Sequence, residues 1–357
     1  MNYRRATIYA QTDASTAKTQ TIDIDLNDVI SRIQIKFNST NNGHTSTAHH
    51  ATAISKVELV NGADVHYSLS AKQIEVLMHL SGLKTPYERE FRNDVENYLV
   101  LDMMFGRELY DEVLGYDPTR FTNPQLRITH DKASGGSAPD AATLEVFADV
   151  FDERKVSPIG FIMPHEYHSF TSAASAANEY VTLPNDYPIR RIILQTSKAG
   201  SWWENLVSEV ELNENEGKSK PIEVSGGDLV QLANTKYGPT FELIAATTPG
   251  VGTYSWHIMP TDTAYGFVNW IGGAATEYIV LASETTGGYV SLVNASVQSF
   301  KMFATGFVPH GCVPIDLGKP NEIESWYDVT TKGKVKLRLK AAGEVTFNTI
   351  LEQLRRY

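Results

Sequence analysis

The sequence predicts an all-β chain: two consecutive eight-stranded sandwiches, each with one short helix, the second carrying extra strands and loops. Three observations predict it. Apolar and polar residues alternate with period two in many short stretches, which is the signature of half-buried strands. Turn-forming pairs separate these stretches, at Asn61-Gly62, Gly135-Gly136, Gly226-Gly227, Gly272-Gly273 and Gly287-Gly288. The same blocks then occur twice in the same order, and such self-similarity points to a duplicated unit. Long amphipathic helical patterns are scarce, which leaves a sandwich or barrel.

In chain order, residues 1–20 are small and polar, with Arg4, Arg5 and Lys18 against Asp13. They read as an extended N-terminal arm with little to bury. The first sandwich is expected over 21–160. Ile22, Ile24 and Leu26 alternate with Asp23, Asp25 and Asn27, and Ile33, Ile35 and Phe37 with Gln34 and Lys36. The texture recurs at Val57–Val60, Leu126–Ile128 and Leu144–Val150. A linker is read at 161–177, from Pro164 and the run SFTSAASAA, with Pro158 just before it. The second sandwich is expected over 178–357, with strands at Ile192–Leu194, Val335–Leu339 and Val345–Leu351.

The repeat is visible residue by residue. LNDVISRIQI, with Arg32 and Ile33, matches PNDYPIRRIIL, with Arg191 and Ile192. Val57-Glu58-Leu59 falls on Val210-Glu211-Leu212, and Ser70 on Ser225. Each serine is followed three residues later by a side chain suited to a capping box, Gln73 and Asp228. Leu101-Asp102 falls on Ile315-Asp316, Leu126-Arg127-Ile128 on Leu337-Arg338-Leu339, and TLEVFADVFDERK on EVTFNTILEQLRR. Val57 and Val210 are 153 residues apart, whereas Leu126 and Leu337 are 211 apart. An insertion of strands and long loops is therefore expected at about 233–314, where Gly, Thr, Tyr and Trp concentrate.

Composition narrows the function. Lys plus Arg number 31 and Asp plus Glu 42, for a net charge of −11. A chain that acidic is a poor candidate for a general nucleic-acid binder, whose affinity comes mainly from cations on phosphates. The single cysteine, Cys312, excludes an intramolecular disulfide and multi-cysteine metal sites. No apolar run approaches the roughly 18 residues of a membrane-spanning helix. The early arginines are not followed by the apolar block of a secretory signal.

Chemical motifs are weak. His165-Glu166-Tyr167-His168 lacks the i, i+4 histidine spacing of a helical zinc motif. His44, His49 and His50 read as a mobile polar loop, although three histidines could bind a metal. Cys312 near His310 reads as a small buried hydrophobe rather than a nucleophile. Acid pairs such as Asp102 with Glu108, or Asp111 with Glu112, read as solvated surface rather than glycosidase carboxylates. There is no GxGxxG, P-loop or GxSxG. Catalytic residues, cofactors and metal ligands are accordingly all expected to be absent, and the chain reads as a non-enzyme.

Eight strands in two facing sheets form a jelly roll, and duplication gives a double jelly roll. On the paired blocks ISKVELVNGADVHYSLSAKQ and VSEVELNENEGKSKPIEVSGG, with NDYPIRRIIL, PHGCVPIDLG and EVTFNTILEQLRRY, the chain resembles the double jelly-roll major capsid proteins of tailless icosahedral double-stranded DNA viruses, the adenovirus–tectivirus lineage. The resemblance implies a homotrimeric, pseudo-hexameric capsomer that tiles a virion shell assembled inside the host cell. Its implied partners are neighbouring capsomers, minor capsid or penton proteins and an internal membrane, with no sequence-specific nucleic acid. The insertion would be an outward tower, whose aromatics Tyr254, Trp256, Tyr265, Phe267 and Trp270 pack it internally or touch other subunits. Arg4 and Arg5 would face the interior or a membrane, where each basic residue beside an anionic surface contributes about 1 kcal/mol. The alternative is a β-sandwich carbohydrate-binding protein or glycan-degrading enzyme, with Trp202-Trp203 and Trp256 stacking on sugars.

Overall fold

Period-two alternation becomes strand after strand in the computed structural model. It describes residues 2–357 except 43–47, 85–87, 135–138, 173–177, 249, 272–277, 286 and 295–297. The first half holds β1 (Tyr3–Asp13), β2 (Lys18–Asp23), β3 (Val29–Thr40), β4 (Ile54–Asn61), β5 (Asp64–Leu69), helix α1 (Ala71–Leu80), β6 (Glu88–Phe91), β7 (Glu96–Met104), β8 (Pro124–His130) and β9 (Ala141–Phe151). The second half holds β10 (Gly160–Thr171), β11 (Asn178–Thr182), β12 (Ile189–Gln195), β13 (Val207–Glu214), β14 (Ser219–Ser225), helix α2 (Gly226–Tyr237) and, after the insertion, β21 (Cys312–Asp316), β22 (Val335–Ala341) and β23 (Thr346–Arg356).

The two halves share one strand order. In the first, β1-β9-β3-β7 stacks on β2-β8-β4-β5. In the second, β10-β23-β12-β21 stacks on β11-β22-β13-β14. Replacing each strand of the first half by its counterpart in chain order reproduces the second. Every block matched by sequence falls on equivalent strands. The fold is all-β, two tandem eight-stranded jelly rolls.

Inward residues from both sheets of each roll meet in a core. Ile33, Ile35 and Phe37 face Val57, Leu59, Leu126 and Ile128 in the first. Ile192, Leu194 and Phe347 face Val210, Leu212, Leu337 and Leu339 in the second. Burying each such side chain contributes roughly 1.5–3 kcal/mol before chain entropy is counted. The helices follow their caps. Ser70 Oγ accepts from the Gln73 N–H, and Gln73 Oε1 accepts from the Ser70 N–H at 2.9 Å, completing a capping box. Ser225 Oγ accepts from the Asp228 N–H at 3.1 Å, but the Asp228 carboxylate takes the Ser225 hydroxyl instead of the cap backbone.

The insertion comprises β15 (Thr240–Thr248), β16 (Gly252–His257), β17 (Pro260–Ile271), β18 (Tyr278–Thr285), β19 (Tyr289–Asn294) and β20 (Gln298–Pro309). Its main sheet is β18-β17-β20-β15-β6, and β16 pairs with β19. β6 comes from the first half and runs parallel to β15, so the insertion is tied to both rolls.

Three expectations are corrected. Residues 1–20 are not an arm: β1 pairs with β9 along its length and β2 with β8. β1 is an edge strand with mostly outward side chains, and an edge exposed to water is kept polar. Residues 161–171 are not a linker but most of β10, paired with β23 from Gly160 to Thr171; residues 173–177 lie outside the described residues. Pro164 is tolerated because the other side of β10 pairs with β5 at one position, His165 with Ser68. Gly226-Gly227 opens α2 instead of turning between strands.

Gly160 is required by close approach. A Cβ there would meet the Arg355 carbonyl oxygen at 2.1 Å, whereas one at Gly343 would meet nothing within 4 Å. Gly160→Ala should lose about 1–3 kcal/mol of stability in urea melts by overpacking, and Gly343→Ala should lose almost none; equal effects would refute this account.

Candidate functional site

The rolls meet edge to edge. β5 and β10 join β2-β8-β4-β5 to β10-β23-β12-β21 in one eight-stranded sheet. Above the seam, Gln73 Nε2 donates to Glu166 Oε2 at 2.5 Å and to Gln195 Oε1 at 2.9 Å. At the other end, Arg355 of β23 pairs with Asp64 of β5, and Tyr357 Oη donates to the Gly115 carbonyl at 2.7 Å.

Each roll carries an equivalent, partly buried ion group. Arg32 Nη1 reaches Asp102 at 2.9 Å and Arg32 Nη2 reaches Asp149 at 2.6 Å. Arg191 Nε reaches Asp316 at 2.8 Å and Arg191 Nη1 reaches Glu352 at 3.1 Å. Asp102 is therefore committed to Arg32 and is no partner for Glu108. Asp111 is likewise held by Arg107, at 2.7 Å. A glycosidase pair has no basis at either position.

The least expected feature is a buried cluster from five distant segments: His49, Glu75 of α1, Arg89 of β6, Glu242 of β15 and His310, between β20 and β21. Arg89 donates to both carboxylates, to Glu242 Oε1 at 3.2 Å and to Glu75 Oε1. His310 Nε2 lies 2.9 Å from Glu75 Oε2, and His49 Nε2 lies 3.0 Å from Glu242 Oε1. The Met259 N–H donates to Glu242 Oε2 at 2.6 Å. Burial pushes both carboxyls up, but Arg89 and the histidines outweigh it and hold them well below the usual range. Burial lowers His310 to about 4 against the pull of Glu75. Burial and Arg89 lower the neighbouring His50 to about 3.

The reading of His49 and His50 as a mobile loop is thus overturned, and His44 lies outside the described residues. Their partners are remote in sequence, so local polarity gave no sign of burial. His165 and His168 lie on β10, and the extended strand confirms that they are not a helical pair. Cys312 is buried, and burial pushes its thiol far up, as a small hydrophobe requires.

Tyr254 packs partly buried on the insertion core, and Trp256 is buried in it, edge-on to Phe300 at 5.3 Å. Tyr265 and Phe267 point outward from β17, 42% and 44% exposed, beside exposed Phe241 and Phe303. Phe303 stacks on Phe241 at 5.6 Å. Trp270 is in β17, its side chain outside the described ones. Trp203 and Trp256 are buried, so neither offers a face to a sugar. Arg4 is paired with Asp28 and Asp152, and Arg5 lies 4.2 Å over the Phe147 ring. Both are tied to their own roll and form no free arm.

No family model matches the chain, and no curated protein matches it. Solved structures do. The atomic structure of Sulfolobus Turreted Icosahedral Virus covers 99% of this chain and 91% of that one, at 11% identity and a TM-score of 0.61. The major capsid protein P2 from Bacteriophage PM2 covers 99% and 98%, at 9% identity and 0.59. The PBCV-1 virus capsid covers 99% and 94%, at 11% identity and 0.55. The chain has the double jelly-roll fold. At such identities the likeness establishes fold, and the duplicated strand order establishes it independently.

In this double jelly roll the foot of the insertion carries one costly carboxyl. Asp262 accepts the Trp203 N–H at 2.9 Å and the Thr261 hydroxyl at 3.1 Å. Burial pushes its pKa up to about 6, those hydrogen bonds pull it down, and Glu204 is the charged group facing it. A carboxyl that ionises less readily folded than unfolded stabilises the fold least at high pH, and the deficit grows as pH rises from about 4 through 6. Relative to the wild type, Asp262→Asn should therefore gain on the order of 3 kcal/mol between pH 4 and pH 7.5, on top of a constant loss because the amide keeps only one of the two accepting oxygens. Parallel melts that show a pH-independent difference would contradict the assignment.

Proposed function

We propose that this double jelly roll is a major capsid protein that trimerises into a pseudo-hexameric capsomer and tiles an icosahedral virion shell. The observation that carries the reading is the pair of edges left over. Within the chain, the step from first roll to second brings the β5 edge to the β10 edge, with α1 over the seam. The counterparts of these edges are β14 and β1, each paired on one side only. Repeating the same step between chains sets β14 and α2 of one copy against β1 of the next. Such a head-to-tail contact closes into a ring when the rotation permits. Three chains make six rolls with like neighbours and cover every β1 and β14 edge.

The surfaces fit. α1 buries Ile74, Val76, Leu77 and Met78 within the chain, whereas α2 buries only Gly226 and Leu229. Beside α2 lies a groove of about 760 Å³ lined by Ile222, Val224, Leu232 and Pro314, with Leu232 64% exposed. The outward Phe241, Tyr265, Phe267 and Phe303 form a second apolar patch on the insertion, of the kind that marks protein contacts. The capsid proteins of similar fold are consistent with self-assembly, and the virion is the location the proposal implies.

Three chains of 39.6 kDa give 118.8 kDa. Light scattering should find that mass, and negative-stain images should show a hexagonal outline with threefold symmetry. Leu232→Asp and Phe267→Asp should weaken assembly at least tenfold while circular dichroism and the melting temperature stay unchanged. A wild-type chain that remains a monomer at high concentration would end the proposal.

A further inference from the structure

The buried cluster at the seam has the layout of a metal site. His49 Nδ1 accepts from the Ala51 N–H at 3.2 Å, which places the ring proton on Nε2, facing Glu242. Nδ1 lies 3.8 Å from Glu75 Oε2, and an ion bound there takes the lone pair that this long hydrogen bond uses, leaving the Ala51 N–H to be satisfied by water. His310 Nε2 lies 2.9 Å from the same Glu75 oxygen. Bonds of about 2.0–2.2 Å to a tetrahedral ion put neighbouring donor atoms roughly 3.4 Å apart, and the two distances bracket that separation. All three donor atoms fall within 4.8 Å of one another.

The surroundings match as well. Arg89 holds the other oxygen of Glu75, leaving Oε2 for the ion, and Glu242 orients His49 from behind. A carboxylate behind a ligating histidine is the usual outer support of a zinc ion. His310 is held in place by an unusual backbone. It and Val308 have φ values of 48° and 55° without being glycine, as occurs where surrounding structure fixes a functional side chain. A polar cleft of about 510 Å³ reaches both histidines, so solvent has an entry path and a water can serve as fourth ligand. The Thr196 hydroxyl lines that cleft, buried without a hydrogen-bond partner.

We propose that His49, Glu75 and His310 bind one zinc ion, which clamps the first roll and α1 to the foot of the insertion. Imidazole and carboxylate donors in a four-coordinate site select zinc over magnesium and calcium, which prefer oxygen ligands in larger numbers.

The test uses full-length protein stripped with EDTA and titrated with zinc alone. One equivalent should bind in calorimetry and raise the melting temperature, while magnesium and calcium should do neither. Cobalt(II) should give the intense visible absorption of a four-coordinate ion, and zinc should abolish it. His310→Asn should remove the signal, Glu242→Gln should weaken binding by about 10–100-fold, and His165→Asn should change nothing. An absent or six-coordinate cobalt spectrum in the wild type overturns the proposal without any variant, as does zinc binding that survives in folded His310→Asn. The result is independent of trimer formation, because all three ligands come from one chain.

Discussion

One sheet of this molecule is covered on both faces, and much else follows from that constraint. β10-β23-β12-β21 gives Ile192, Leu194 and Leu351 to the core of its own roll, and Ile193, Ile350 and Cys312 to the core of the other. No face of β12 is left for water, and its sequence is accordingly a run, IRRIIL, rather than an alternation. The charges within the run must find carboxylates inside the protein. Arg191 does so with Asp316 and Glu352, and Arg190 with Glu352 at 3.5 Å. Such pairs add little net stability once desolvation is counted, but removing one partner strands the other. Their effect is to fix how the sheets sit.

Much of the fold was legible in the sequence because duplication wrote it twice. A single stretch such as Val57-Glu58-Leu59 is a weak signal. Its match to Val210-Glu211-Leu212, with Ser70 and Ser225 following, fixed the order of elements without any long-range information. Even the ion groups were latent there, since Arg32 matched Arg191 and Asp102 matched Asp316. What failed was the reading of the ends. β1 and β10 are the first strands of their rolls, and their polarity or proline content is that of edges and seams, which local composition cannot separate from arms and linkers.

The buried cluster was illegible for a different reason. Burial of His49 is decided by Glu75, Glu242 and His310, and the last of these lies 261 residues away. Pattern reading weighs a residue against its neighbours, and the neighbours of His49 are Ala, Thr and Ser. His310 gave a faint hint by standing in PHGC, where its backbone conformation is uncommon for a side chain of that size. The outward aromatics were half legible: a β-strand period places Tyr265 and Phe267 on one face, but only coordinates tell which face is wet.

The two helices carry a final consequence. They hold equivalent places in the two rolls and each begins at a serine cap, yet α1 is largely enclosed by the chain, whereas α2 buries only Gly226 and Leu229 and turns residues such as Leu232 to its surface. Errors in α1 would be caught at once by a cell's quality control, because they spoil folding. In the proposed assembly, errors on the outward face of α2 would pass that inspection, leaving sound subunits whose defect emerges only in company. A library of random mutants sorted first for soluble yield and then for particle formation would thus divide the twin helices between its two sieves.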